Sequence, residues 1–155
     1  MSIRDSGDRP PLRALFDVNV LIALLDAGHV GHRVATAWLA AELDYGWASC
    51  PITENGTARI MASPGYPNPQ PVAMVLRQLA RARATTHHQF WHDDVSLTDE
   101  SVFRSSELLG PRQITDRYLL ALAVRKGGRF VTFDRGVKAT AVAGAKPAHI
   151  VYLAA

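Results

Sequence analysis

Short apolar segments alternate along this sequence with longer segments in which apolar residues recur every three to four positions. The short segments predict β-strands, and the longer ones predict amphipathic helices. Strands that alternate with helices favour right-handed crossovers and a parallel sheet covered by helices on both faces. The sequence therefore predicts an α/β fold, a three-layer α/β/α arrangement around a central, mostly parallel sheet.

The same pattern places the individual elements. Strands are expected at Leu12–Phe16, Tyr45–Cys50, Asp94–Leu97, Arg129–Phe133 and Ala148–Leu153. Helices are expected at Val18–Leu25, Val30–Leu43, Glu54–Met61, Asp116–Lys126, a segment opened by Pro71 with Val72, Val75, Leu76 and Leu79, and a segment from Thr98. Thr53 and Thr115 are the expected N-caps of two helices. Gly127 and Gly128 should end the helix before them, and Ser63–Pro69 should be a loop.

Length and composition indicate one globular domain. The chain has 155 residues, of which 48% are apolar and 20% charged, as is usual for soluble proteins. We predict a single domain over residues 1–155, with residues 1–11 as a loosely ordered lead that lacks a secretory signal. The longest apolar stretches are too short to cross a bilayer. The single cysteine, Cys50, fits a reducing cytosol, and we expect it to be a small buried hydrophobe in a cytoplasmic protein.

Four carboxylates stand where strands end or helices begin. Asp17 and Asp134 close two expected strands, whereas Glu54 and Asp116 fall in the first turns of two expected helices. These positions share one edge of a parallel sheet, so the four acids are expected to converge. Each acid has a structural alternative: Glu54 and Asp116 as partners of a helix dipole, and Asp17 and Asp134 as turn residues. Four purely structural acids on one edge are the less favoured interpretation.

Converging carboxylates favour a divalent cation and the chemistry that it supports. Crowded carboxylates repel each other, and a hard cation relieves the repulsion. Mg²⁺ prefers oxygen ligands and keeps waters for a substrate phosphate, and Mn²⁺ suits the same ligands. The reaction expected at such a site is hydrolysis of a phosphodiester, with a remaining carboxylate positioning or deprotonating the attacking water.

Polar neighbours of the four acids are candidates for supporting roles. Arg59 and Arg117 are candidates for phosphate contacts, with solvated surface as the alternative for each. Asn19, Asn55 and Thr115 are candidates for orienting the acids or metal-bound water, and capping is the favoured role for Thr115. The net charge of +3, carried mostly by arginine, leans only weakly toward a nucleic-acid partner.

Three histidines are not expected to belong to the site. His87, His88 and His92 lie between an Arg/Thr-rich segment and an Asp-rich one. In a helix, His88 and His92 would share a face, yet no zinc-type ligand spacing surrounds them. We expect them in a surface or loop position, away from the acidic edge.

The segments around the acids carry a family resemblance. Phe16–Ile22, Cys50–Gly56, Ile114–Ala121 and Thr132–Asp134 resemble the four acidic motifs of the PIN domain, and more narrowly those of the ribonuclease toxins of VapBC toxin–antitoxin modules. His32–Trp38, as His-x-x-Ala-x-x-Trp, resembles a further block of that subgroup. The motifs occur in order from about Leu12 to Leu153, so the resemblance covers nearly the whole chain.

The resemblance implies a function and a set of partners. It implies a Mg²⁺-dependent endoribonuclease in the bacterial cytosol, a homodimer, and a cognate antitoxin that covers the site. Asp17 and Asp116 are implied as the principal metal ligands, and Glu54 and Asp134 as residues that complete the site. For the latter two, three roles remain open: metal ligand, water positioning, and support of the ligands from behind. Asn19 stands where many relatives carry Thr or Ser, a change that keeps a hydrogen-bonding side chain.

Other functions are less well supported. A haloacid-dehalogenase phosphatase needs a second acid where this chain has Asn19, and a receiver domain needs an acidic pair where Asp17 stands alone. A non-catalytic PIN-like module that binds RNA or a partner is the remaining alternative, although all four acids are present. The amphipathic helices at Val30–Leu43 and Val72–Leu79 are candidates for the antitoxin groove, with ordinary core packing as the alternative.

Overall fold

The computed structural model describes residues 12–104, 106 and 110–155. The strands are β1 (Ala14–Phe16), β2 (Trp47–Ser49), β3 (His88–Phe90), β4 (Arg129–Thr132) and β5 (Ile150–Tyr152). The α-helices are α1 (Val18–Leu25), α2 (His32–Glu42), α3 (Pro51–Met61), α4 (Val72–Arg83) and α5 (Ile114–Arg125). The strands form one parallel sheet in the order β3-β2-β1-β4-β5, which confirms the predicted α/β fold. The expected lead at residues 1–11 lies outside the described residues.

The sheet separates two layers of helices. On one face, α5 packs Leu120 and Leu122 into a cluster with Leu15 and Phe130. On the opposite face, α1 and α2 pack into a cluster that contains Phe16. Neighbouring residues of β1 thus point into different layers, as alternation along a strand requires. A smaller cluster joins α3 and α4 to α1 on that second face, and it contains Ile22, Met61, Val75 and Leu79.

The register of the sheet brings the chain segments that carry the acids to one edge. β1 and β4 are neighbours, and Phe16 pairs with Val131. Asp17 follows β1 directly, and Asp134 lies two residues beyond the end of β4. Asp116 is in the first turn of α5, which begins at this same edge.

One predicted strand and one predicted helix are wrong in the region after α4. The strand expected at Asp94–Leu97 is absent, and the strand of this region is β3, whose Phe90 pairs with Ser49. β3 is an edge strand with exposed side chains, so it lacks the apolar run that would have revealed it. The helix expected from Thr98 is also wrong over residues 98–104, which form turns around Asp99, whose carboxylate accepts from the Ser101 amide at 3.0 Å.

Both predicted threonine caps are wrong. Helix α3 begins at Pro51 with Cys50 as its N-cap, because proline suits the first helical position. Thr53 therefore lies inside the first turn, where its hydroxyl accepts from the Cys50 amide at 3.0 Å. Helix α5 begins at Ile114, directly after a 3₁₀ turn that Pro111 opens, so Thr115 is an internal residue. The expected helix end is confirmed, since Gly127 has φ +67° directly after the C-cap.

Apolar spacing alone did not predict which helix residues are buried and which are exposed. In α4, Val75 and Leu79 are buried, but Val72 and Leu76 are 54% and 51% exposed. Val30 lies before α2 and is 85% exposed. Cys50 is fully buried, as expected, and burial raises the pKa of its thiol to about 11. None of the helices within the described residues is both long and apolar enough to cross a membrane.

Candidate active site

A cavity of about 770 Å³ opens at the edge of the sheet where β1 and β4 end. Three of the four predicted acids line it, namely Asp17, Asp116 and Asp134, which we call the three-aspartate cluster. The other lining residues come mainly from α1, α3 and the loops at this edge. They are Val18, Asn19, Ile22, His29, Pro51, Ile52, Asn55, Gly56, Arg59, Ile60, Tyr66, Asp93 and Thr115.

Asp17 is the most rigidly held member of the cluster. It is the N-cap of α1, and its Oδ1 accepts a hydrogen bond from the Val18 amide at 2.7 Å. Its Oδ2 accepts from the Thr132 hydroxyl, also at 2.7 Å. The side chain is buried, and this burial raises the pKa of Asp17 against the opposing effect of the two hydrogen bonds. Asp17 is therefore oriented before any ligand arrives.

Asp116 has a strongly raised pKa. Burial, followed by the negative charges of Asp17 and Asp134, raises its pKa to about 7. A hydrogen bond with Asp134 acts in the same direction, while the charge of Arg117 opposes it. The carboxyl of Asp116 is therefore partly protonated near neutral pH, because its ionised form is buried and repelled by neighbouring carboxylates.

Asp134 completes the cluster from the loop after β4. It is exposed, and its Oδ1 accepts from the Gly136 amide at 2.7 Å. Its own amide donates to the Thr132 hydroxyl at 3.0 Å, the same hydroxyl that donates to Asp17. Thr132 therefore connects two of the aspartates. Sequence reasoning missed this residue, because a threonine within an apolar strand is also typical of ordinary β-structure.

Glu54 does not line the cavity, although the sequence predicted that all four acids would converge. Its Oε2 accepts from the Ser49 hydroxyl at 2.6 Å, and its Oε1 pairs with Arg83 Nη1 at 3.1 Å. The His88 Nε2 lies 2.8 Å from the same Ser49 oxygen. We call Ser49, Glu54, Arg83 and His88 the Glu54 network. This network lies at the same edge as the three-aspartate cluster, but here Arg83 balances the negative charge of Glu54.

The expected position of His88 is therefore wrong. The residue belongs to β3 and contacts the network that holds Glu54, instead of lying away from the acidic edge. Burial, together with the charges of Arg83 and Arg13, lowers its pKa to about 4. A neutral imidazole can donate through Nε2 to the Ser49 oxygen, which leaves the Ser49 proton for Glu54.

The supporting residues separate into two groups. Asn19, Asn55, Arg59 and Thr115 line the cavity, as their expected roles require. Arg117 does not line it: the side chain is only 4% exposed, and its Nη2 donates to the Gly136 carbonyl at 3.2 Å. The expectation that Arg117 contacts phosphate is wrong in this structure. Arg117 instead supports the loop that carries Asp134.

Several cavity residues were not predicted from the sequence. Asp93 lines the cavity three residues beyond β3, and its Oδ1 is buried without a hydrogen-bond partner among the described residues. A strand at Asp94–Leu97 would place Asp93 before the N-terminal end of that strand, away from the edge that carries the acids. Asp93 was therefore not predicted as a site residue. Tyr66 lines the cavity from the loop after α3, and His29 from the loop before α2. The sequence carries no signal that would bring these loops to the acids.

Comparison with known proteins identifies the family. The model of the PIN domain family matches residues 14–143. The chain belongs to the PIN domain family. Ribonuclease VapC44 of Mycobacterium tuberculosis is 51% identical over 142 residues, which cover 92% of this chain and 100% of that protein. Ribonuclease VapC38 of the same organism is 44% identical over 125 residues, which cover 80% and 86%.

The fold of this PIN domain also matches a solved structure. The crystal structure of Mycobacterium tuberculosis VapC20, described as a sarcin–ricin-loop-cleaving toxin, superposes with a TM-score of 0.58. The match covers 86% of this chain and 99% of VapC20 at 16% sequence identity. At that identity, the likeness shows a shared architecture.

The donor set of this PIN domain suits a hard divalent cation. The three-aspartate cluster offers carboxylate oxygens, and the Asn19 Oδ1 is buried without a hydrogen-bond partner among the described residues. These are the ligand types that Mg²⁺ and Mn²⁺ prefer. In the described part of the chain, no three His, Cys, Asp or Glu side chains already form a ready-made metal site.

Proposed function

We propose that this PIN-domain chain is a Mg²⁺-dependent endoribonuclease and the toxin of a type II toxin–antitoxin pair. The observation that carries the proposal is the three-aspartate cluster, in which neighbouring negative charges and burial raise the pKa of Asp116 to about 7. Further support comes from relatives named ribonucleases, one of which is matched over its full length. Mn²⁺ is expected to substitute for Mg²⁺, because it accepts the same oxygen ligands.

In this proposal, Asp17, Asp116 and Asp134 would hold the cation. A bound Mg²⁺ lowers the pKa of a water and stabilises charge on the leaving oxygen of a phosphodiester. Asp17 is kept in its rotamer by Val18 and Thr132, so its orientation costs little on binding. Asn19 presents an amide oxygen to the same cavity.

The remaining site residues act on water and substrate. Glu54 is proposed to position or deprotonate the attacking water once it leaves Arg83, since a carboxylate near a metal-bound water commonly has that role. Asn55 and Thr115 are proposed to orient substrate or water through hydrogen bonds. Arg59 is exposed at the cavity and is proposed to hold an RNA phosphate, for which its guanidinium is suited.

RNA cleavage by purified protein free of antitoxin tests the function. We expect cleavage in Mg²⁺ or Mn²⁺, none in EDTA, and a loss of at least about 100-fold in Asp17→Asn. Equal cleavage by wild type and Asp17→Asn would identify a contaminant and overturn the assignment of this site. Binding of RNA by the wild type without cleavage would favour the non-catalytic PIN-like module instead.

An apolar cavity supports the antitoxin as a partner. It measures about 310 Å³ and is lined by residues of α1, α2 and α4, among them Leu24, Leu39 and Leu79. Such a groove suits the apolar face of an amphipathic helix. We expect expression of this chain alone to arrest growth in a bacterial cytoplasm, and expression of Asp116→Ala to be harmless. Unimpaired growth with both proteins would argue against a toxin.

A homodimer is proposed on the basis of exposed apolar surface. Val72 and Leu76 are one helical turn apart on α4, and both are about half exposed. A second copy of the chain would cover such a surface. Sedimentation should give a dimer for the wild type and a monomer for Leu76→Lys; an unchanged dimer would place the interface elsewhere.

A further inference from the structure

We propose that the cleft between α1 and α3 binds one unpaired nucleobase of the RNA, next to the phosphate held at the three-aspartate cluster. The cleft comprises Val18, Asn55, Arg59, Ile60 and Tyr66, all of which line the main cavity; we call it the base cleft. This inference rests on the proposed ribonuclease function and names the part of the substrate that the site recognises.

The cavity extends well beyond the aspartates. Asp17 lies at the N-terminus of α1, and the lining continues along one stripe of α3 from Ile52 through Gly56 to Ile60. Residues at this three-to-four spacing share one helix face. At 1.5 Å per residue, Ile52 and Ile60 are about 12 Å apart along the axis. A single phosphate at the aspartates would leave this length of the cavity unused.

Apolar side chains line part of the base cleft. A Cβ at Gly56 would lie 2.8 Å from Val18 Cγ2, so α3 and α1 are in contact at this point and close the floor of the cleft. Val18 and Ile60 line the cavity from the two helices, and Ile60 is 37% exposed. A base can cover these apolar side chains with its ring, whereas a hydrated phosphate placed against them would lose water without gaining hydrogen bonds from them.

Tyr66 supplies a fixed aromatic surface at this part of the cavity. Its hydroxyl donates to Asp26 Oδ2, and Asp26 Oδ1 accepts from the Gly28 amide at 2.9 Å. The ring also packs against the apolar cluster that contains Ile22. Burial together with the neighbouring Asp26 raises the pKa of Tyr66 to about 12, so the hydroxyl keeps its proton. A ring held at both ends loses little freedom when a base stacks on it.

Asn55 and Arg59 add polar recognition to this aromatic surface. Both are exposed cavity residues of α3, one helical turn apart. The amide offers a donor and an acceptor to the edge of a base, whereas the guanidinium can bind the adjoining phosphate. Stacking on an aromatic ring, hydrogen bonds to a base edge and arginine–phosphate contacts are the means by which proteins take up unpaired RNA bases.

A binding measurement in EDTA tests the base cleft without requiring cleavage. The probes are single-stranded hexamers of each of the four RNA bases and a sugar–phosphate hexamer that lacks bases. We expect the wild type to bind its preferred base-bearing strand about 5- to 100-fold more tightly than the abasic strand. Tyr66→Leu should abolish most of this difference, and Tyr66→Phe should keep it. Asn55→Ala should change the ranking of the four bases.

Tyr45→Leu is the matched control, because Tyr45 is an exposed tyrosine outside the cavity lining. Equal affinity of the wild type for abasic and base-bearing strands would overturn the inference, since phosphate contacts alone would then explain binding. So would a difference that Tyr66→Leu leaves unchanged. Photocrosslinking of the wild type to a 5-iodouridine hexamer needs no variant: the crosslinked peptide should contain Tyr66, and crosslinks found only elsewhere would contradict the base cleft.

The outcome for the base cleft is separable from the outcome for the ribonuclease function. If the wild type shows the Tyr66-dependent affinity difference but cleaves no RNA in Mg²⁺ or Mn²⁺, the base cleft stands and the nuclease proposal fails. If RNA is cleaved while Tyr66→Leu retains both the affinity difference and the base preference at the cut, the nuclease proposal stands and the base cleft fails.

Discussion

The three-aspartate cluster and the Glu54 network are both acidic and lie at the same edge of the sheet, yet their charges are balanced differently. Glu54 has an arginine at 3.1 Å and a serine hydroxyl at 2.6 Å. Asp116 faces two further carboxylates, and its pKa is raised to about 7. Two acids at the same edge thus differ in whether an ion pair with the protein already neutralises them. We expect the acid that lacks such an ion pair to gain most from a metal ion.

The two regions should therefore respond differently to the same isosteric change. Removing a charge from the three-aspartate cluster removes a proposed metal ligand. Removing the charge of Glu54 removes a partner of Arg83 and, in the proposed reaction, a group that handles water. The predictions below test this contrast, beginning with the largest expected effect.

Asp116→Asn should lower RNA cleavage by roughly 10²- to 10⁴-fold, because it removes a proposed metal ligand and its negative charge. Initial rates on one RNA across a Mg²⁺ titration provide the measurement. The circular dichroism spectrum should stay unchanged, since the amide is isosteric. Recovery of the full rate at high Mg²⁺ would mean that Asp116 contributes affinity alone, and an unchanged rate would remove it from the site.

The metal-free protein should become more stable as the pH falls from 8 to about 6.5, below which the lowered pKa of His88 begins to oppose the effect of Asp116. The folded-state pKa of Asp116 is about 7, above the ordinary value of 3.8, so the folded state binds more protons than the unfolded state between these pH values. The unfolding free energy then decreases as pH rises through 7. Urea unfolding in EDTA at several pH values measures this slope.

Two variants and added Mg²⁺ serve as controls for this pH dependence. Asp116→Asn should flatten it, whereas Glu54→Gln should leave it in place, because Glu54 is not among the causes of the Asp116 shift. Mg²⁺ should stabilise the protein more at pH 8 than at pH 5.5, since binding requires ionised aspartates. A slope that persists unchanged in Asp116→Asn would show that another group dominates.

Glu54→Gln should lower cleavage by about 10- to 100-fold, less than the loss in Asp116→Asn, because the supporting environment of the metal remains intact. Arg83→Gln is the partner variant: it frees Glu54 from its ion pair and should cost less activity than Glu54→Gln. Mg²⁺ titrations should give similar half-saturation for wild type and Glu54→Gln. A strongly raised half-saturation would make Glu54 a direct ligand and remove the contrast.

Much of the fold followed from the sequence because the responsible residues are local. Strand β1 and helix α1 are set by apolar residues on both sides of Asp17, with Asn19 as the one polar residue of α1, and α1 has its predicted limits. Strand β3 was not predicted because the side chains of His88-Gln89-Phe90 are largely exposed and the strand pairs with only one neighbour, β2. Its strand character comes from hydrogen bonds to β2, which no property of those three residues reveals.

The site was predictable to a similar depth. Parallel topology placed Asp17, Asp116 and Asp134 together, because strand ends and helix starts are fixed by local pattern. The same topology put Glu54 at this edge but could not show that Arg83, from the far end of α4, would reach its carboxylate. The burial of Arg117 was equally invisible, since an exposed and a buried position can occupy the same first turn of a helix.

Two hydroxyls provide the finest test of the contrast, since each donates to one of the carboxylates under comparison. Thr132 is fully buried and donates to Asp17 at 2.7 Å, whereas Ser49 donates to Glu54 at 2.6 Å. Thr132→Val keeps the side-chain shape and should slow cleavage about 2- to 10-fold, the value of one hydrogen bond that orients a ligand. Ser49→Ala should slow it less, because Arg83 still holds Glu54. Cleavage rates of both variants at saturating Mg²⁺ decide the order, and a larger loss in Ser49→Ala would make the Glu54 network the more demanding part of the site.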